Sequence, residues 1–198
     1  MSRKVFDVLA SSAGIIVVVV LVIAGGLLTW GHSFVNDNVH TQLSQQQVYF
    51  PPQAAFDHPK AGTEITPSMI PSVSKYAGQQ LLSGEQAKTY ADNFIAVHLS
   101  EMPYGGVYAK ASGAALADPT NTKLQGVVQT IFRGTTLRGL LLEAYAFSVV
   151  GTIMLWGAIA SFIAAAAIAL LVGLGFWHAR RTSEDAHILT AKAVPASS

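Results

Sequence analysis

Six histidines and eleven carboxylates are the groups in this chain that could hold a metal or move a proton. Asp57-His58, beside Pro59, has the form of half a metal site, because a carboxylate often orients a ligating histidine. His32, His40 and His98 stand at no HxxxH-type spacing from it, so a solvated loop pair is the preferred reading. His98 falls on the apolar stripe of a predicted helix, where an ordinary hydrogen bond is commoner than a ligand bond. Glu85, Asp92 and Glu101 follow at intervals that bring Glu85 and Asp92 near one helix face. Paired carboxylates can do acid–base work, yet solvated helix acids are the usual outcome. No glycine-rich phosphate loop, nucleophile elbow or HExxH motif occurs. The chain has no cysteine, which excludes disulfides, cysteine-ligated zinc, iron–sulfur clusters and c-type haem attachment. We expect no catalytic residue, no metal site and no cofactor.

The elements that would carry these residues are those of a membrane protein. Of 198 residues, 51% are hydrophobic and only 12% charged, where a soluble domain carries about a quarter. Mean hydropathy is +0.42. The net charge of +1 gives no electrostatic footprint for nucleic acid. The apolar residues gather in two blocks. Leu9 to Trp30 contains no charge and as a helix would measure about 33 Å, enough to cross the hydrocarbon core. A cleaved signal peptide is the rival reading, with Val22-Ile23-Ala24 as the cleavage site, but the apolar run continues to Leu28 and exceeds a usual signal core. We expect the span to be retained. Ala146 to Trp177 contains no ionisable residue and would measure about 48 Å, so it must tilt or begin outside the lipid.

Arg3 and Lys4 precede the first block, and Arg180, Arg181 and Lys192 follow the second, whereas residues 31–59 contain no Lys or Arg. The positive-inside rule then places both termini in the cytoplasm. The expected organisation is a cytoplasmic tail (1–8), a first transmembrane helix (9–30), an extracytoplasmic segment (31–145), a second transmembrane helix (146–177) and a cytoplasmic tail (178–198). The expected fold is an all-α membrane protein, a two-helix hairpin with a helical, proline-strapped segment between the spans, in the plasma (cell) membrane.

Neither block contains an ionisable residue, so the chain alone lacks the intramembrane groups of a pump, a channel or a haem carrier. The second block offers a packing signal instead. Gly157, Ser161, Ala165, Ala169 and Gly173 recur every four residues, a stripe of small side chains that would let another helix approach closely. That helix is either the first span or one from another protein. Trp30 and Trp177 stand where interfacial aromatics belong, and Arg133 and Arg138 sit close to the second span, suited to lipid phosphate or an acidic partner.

Between the spans, Phe34, Val35, Val39 and Leu43 keep a helical period, which extends the first helix outward until Tyr49-Phe50-Pro51-Pro52 stops it. The five prolines of residues 50–72 suggest an extended strap lying on a surface. Ser83 and Gln86 form a capping-box pattern opening a helix from about 84 to 101, which Pro103 and Gly105-Gly106 end. A short helix over 107–117, a turn at Asp118-Pro119-Thr120-Asn121, and an amphipathic helix interrupted near Gly134 complete the reading. Few large apolar residues are available, so this segment is expected to lean on the membrane-proximal helices or on a partner.

SGEQAKTYADNFIAVHL (83–99), YAKASG (108–113), ADPTN (117–121) and IFRGTTLRGLLLEAYAF (131–147) resemble a poorly characterised actinobacterial family of two-span membrane proteins, over about half the chain. Some members carry names that refer to aromatic ring-opening dioxygenases; the metal-ligand constellation of such an enzyme is absent, and that activity is rejected. In size, hairpin topology and helical cap the chain is also similar to small accessory subunits of actinobacterial respiratory supercomplexes of cytochrome bcc and aa3 oxidase. This second likeness is one of architecture, and no catalytic residue carries over. Together they imply a non-catalytic accessory subunit with other integral membrane proteins and lipids as partners, among them cytochrome bcc/aa3 oxidase subunits. The alternative is an extracytoplasmic ligand-binding or sensory protein acting through a separate partner.

Overall fold

The computed structural model describes residues 3–57, 59 and 65–181. Those residues are mostly helical, and no strand forms among them. Seven α-helices follow in order: α1 (Arg3–Gln46), α2 (Gln53–Asp57), α3 (Ile70–Val73), α4 (Gly84–Tyr90), α5 (Ala96–Glu101), α6 (Tyr108–Ala117) and α7 (Thr122–Arg181). Two of them, over Lys4–Gln46 and Thr122–Arg181, are long and apolar enough to cross a membrane. Only 11% and 6% of their most apolar windows is buried, so these are not core helices of a soluble protein, whose apolar faces are covered. The composition and these helices together suggest a membrane protein. The polar tail expected over 182–198 and His58 lie outside the described residues.

Contacts divide the chain into two units, one of residues 1–31 with 153–198 and the other of 32–152. In the first unit the two long helices pack on each other in antiparallel register. The open faces of Gly14 and Gly175 lie against Val172 and Ser11, that of Gly157 lies against Leu28, and that of Gly31 lies against Met154. The covered positions of α1 include Asp7, Ser11, Gly14, Val18, Leu21, Gly25 and Leu28, at alternating intervals of four and three. On α7 they include Ala158, Ser161, Ala165, Ile168, Val172, Gly175 and Ala179, at the same alternation. This is the heptad spacing that keeps one seam facing a partner along the whole length of two helices.

The second unit has a core of its own, richer than composition suggested. Phe50, Met69, Val73 and Leu81 are fully buried, with Val39 and Leu43 of α1 and Leu141 of α7 in the same cluster. α1 runs out to Gln46 as its periodicity predicts. It ends where Gln47 turns to a φ of 51°, a left-handed stop before Pro51 and Pro52, neither of which can donate a backbone hydrogen bond.

The proline-rich stretch departs from an extended strap lying on a surface. Gln53–Asp57 and Ile70–Val73 are short helices, and Phe56, Ile65 and Met69 are buried in the core. Proline is tolerated in a first helical turn, where its missing N–H has no partner to lose, and Pro71 stands there in α3.

The capping box at Ser83 forms: its hydroxyl accepts from the Gln86 N–H at 3.3 Å, and the Gln86 side chain accepts from the Ser83 N–H at 3.1 Å. From this start α4, a π-helical turn over Ala91–Ile95 and α5 follow one another to Glu101. Gly105 and Gly106 then take φ near +65°, and at Gly106 a side chain would strike the Leu99 carbonyl, so glycine is required there. α7 starts at the expected turn, with Asn121 Oδ1 accepting from the Leu124 N–H at 3.0 Å. Gly134 does not interrupt it. A Cβ there would lie 2.8 Å from Leu99 Cδ2, so the glycine marks the close approach of the Leu99 side chain to an unbroken helix.

Candidate functional site

The small residues of the four-residue stripe separate in space. Gly157 and Ser161 are half-buried and Ala165 is 4% exposed, all in the seam with α1. Ala169 and Gly173 are exposed, and a Cβ on Gly173 would meet nothing within 4 Å. The reason is geometric. At about 100° per residue, each step of four advances about 40° around the helix, so four such steps rotate the stripe well off one face. The seam follows the alternation of three and four instead, because that spacing stays in phase. The Ser161 hydroxyl donates to the Gly157 carbonyl at 2.9 Å, which satisfies it without a partner helix.

The seam also holds polar groups that the stripe did not suggest. At one end His178 Nε2 lies 3.8 Å from Asp7 Oδ2. Ser11 is buried against Gly175. The spacing Asp7, Ser11, Gly14 carried this information, since a heptad seam of small and polar residues was legible from residue 7 onward. In the second unit His32 Nδ1 donates to the Gly151 carbonyl at 2.8 Å, and its Nε2 accepts from the Asn36 amide at 3.2 Å.

Arg138 is engaged within the chain. Its guanidinium donates to Asp92 Oδ1 at 2.8 Å, while Lys88 reaches Asp92 Oδ2 at 2.7 Å and lies over the Tyr145 ring. Asp92 belongs to the π-helical turn and Arg138 to α7, so the pair fastens the outer helix to the long one. Close packing at Gly84, whose open face meets Ser148 and the Tyr145 backbone, fastens its start. Hydrogen bonds from Lys88, and then from Arg138, hold the Asp92 carboxyl below the usual carboxylate range. A depressed carboxyl stabilises the fold at neutral pH and loses that contribution as pH falls through its folded value. Arg138→Met is therefore expected to lower stability near neutrality by about 1 kcal/mol, the partial exposure of both partners limiting the loss. The difference from the parent chain should vanish in acid below the usual carboxylate range, as thermal unfolding across pH would read.

Arg133 and Trp30 are exposed, Trp30 by 67%. Trp177 is also exposed and carries the Arg181 guanidinium 4.2 Å from its ring centroid. Three other candidate groups have ordinary duties. Glu85 pairs with Lys75 at 3.3 Å rather than with Asp92, Asp57 accepts from Gln53, and His98 Nδ1 donates to the Phe94 carbonyl at 2.9 Å. Among the described residues no group of three His, Asp or Glu side chains could hold a metal ion.

One further feature escaped sequence reasoning. In the second unit a cavity of about 370 Å³ opens between the α1 stretch from Phe34 to Gln46 and the α7 stretch from Leu137 to Phe147. Its floor includes Val39 and Leu43, which are buried. Comparison of the chain with protein-family models, with curated proteins and with solved structures finds no match.

Proposed function

We propose that the chain is a non-catalytic accessory subunit of a larger membrane complex, of the respiratory cytochrome bcc–aa3 oxidase type, where it aids assembly or stability. In this reading its two long helices cross the membrane as a hairpin, with both termini in the cytoplasm and residues 31–145 outside. The observation that carries it is the exposed small-residue surface at Ala169 and Gly173. These residues lie outside the seam with α1, so a helix of another protein can approach α7 there without displacing anything in this chain. Small-residue faces are how helices associate where lipid offers no hydrophobic drive. Asp57, Glu85, Asp92, His98 and Arg138 serve structural contacts within the chain, which suits a scaffold more than a catalyst. The respiratory assignment rests on the likeness of size and architecture alone.

The test is purification of the tagged chain in mild detergent, reading the co-purifying proteins and the visible absorption together. The expected result is a set of partner proteins with cytochrome bands, which would come from those partners. The double variant Ala169→Leu, Gly173→Leu is expected to keep the chain folded, by circular dichroism, and to lose the partners. A colourless preparation without partners would remove the respiratory assignment. Unchanged co-purification by the double variant would remove this face as the docking surface.

A further inference from the structure

We propose that the cavity between α1 and α7 in the second unit binds one hydrocarbon chain of a membrane amphiphile whose head is uncharged. The inference does not depend on the accessory role. The first argument is place. The uncharged apolar run of α1 ends at Trp30, one turn before Phe34, and that of α7 begins at Ala146, beside Phe147. One end of the cavity thus lies where these two helices pass between their apolar and mixed stretches, so a chain from lipid can enter without crossing water. The walls are the second argument. Phe34, Leu140 and Phe147 line the cavity and are 55%, 58% and 52% exposed, a cost in water that a hydrocarbon chain would relieve. From Phe34 to Gln46 the trough runs about 18 Å along α1, room for one extended chain. The volume is within the range of ligand sites, roughly 300–1,000 Å³.

The head follows from charge. Asn38, Gln42 and Gln46 recur every four residues along one rim, and Gln42 donates to Asn38 Oδ1 at 2.7 Å. Amides both donate and accept, which suits hydroxyl and carbonyl groups. No Lys or Arg lines the cavity, and the one charged residue there is Glu143, which repels a phosphate. A neutral glycerolipid fits these groups, and an anionic one does not.

The experiment uses the full chain in phosphatidylcholine vesicles with a trace of monoacylglycerol carrying a photoactivatable diazirine in its chain. Lysophosphatidylglycerol with the same diazirine chain is the anionic comparison, and labelled peptides are mapped by mass spectrometry. The neutral probe is expected to label residues 34–46 and 137–147 about tenfold more than residues 15–27. The anionic probe should show no such preference. Gln42→Trp, which fills the trough from an exposed rim, is expected to abolish the preference, as is Leu140→Asp, which places charge on the exposed apolar wall. Equal labelling of the trough and of residues 15–27 in the parent chain overturns the proposal. So does equal preference from the anionic probe, or unchanged labelling in a variant whose helicity is intact.

Discussion

Phe50→Ala is expected to lower the stability of the second unit by about 3–5 kcal/mol, the range for removing a buried aromatic ring. Phe50 is 2% exposed and lies in contact with Tyr76 and Tyr90, ring centroids 5.1 and 5.3 Å away. Its backbone is held as well, its N–H donating to the Gln79 carbonyl at 2.9 Å, so the chain cannot slide inward to close the cavity that alanine would leave. Hydrogen exchange on the full chain in detergent should show faster exchange over residues 84–101, which pack on the same cluster. Protection equal to that of the parent chain there would mean that Phe50 does not hold this core.

The second large effect is a contrast between two glycines of one helix. Gly14→Ala places a methyl group against Val172, whose branched side chain has little rotameric freedom to retreat. Overpacking of this kind costs about 1–3 kcal/mol, several degrees in the unfolding midpoint. Gly26→Ala meets nothing within 4 Å, and alanine favours helix over glycine by about 1 kcal/mol. The first variant is therefore expected to melt earlier than the parent chain in detergent, and the second at the same temperature or later. Equal behaviour of the two would show that Gly14 is not in a packed seam.

Local signals carried most of the fold. The Ser83–Gln86 box, the stop after Gln46 and the Asn121 start are short-range hydrogen-bond chemistry, and each element begins or ends there. The small-residue stripe was legible as a pattern but not as a place, because a period of four drifts around a helix while the seam keeps a period of three and a half. The strap failed as an expectation because Phe56, Ile65 and Met69 recover by burial what Pro-rich backbone gives up in regularity, and burial depends on residues far away in sequence. Asp92 and Arg138 lie 46 residues apart, and nothing local announces that pair. The cavity is likewise a property of two distant helix stretches, visible only once they are side by side.

The matching of large to small along the seam has a consequence for what the helices can do besides pair as they do. Val172 faces Gly14, and Leu28 faces Gly157, so each helix reads the other like a key with its own sequence of cuts. Sliding α7 by one heptad would move Val172 from Gly14 onto Leu21 in one direction, or onto Asp7 in the other. The first sets Val172 against a large side chain where glycine had left room, and the second sets an apolar group on a carboxylate. The apolar surface around the seam is generic, but the alignment is not: this register is the one in which Val172, Leu28 and Met154 each meet a glycine.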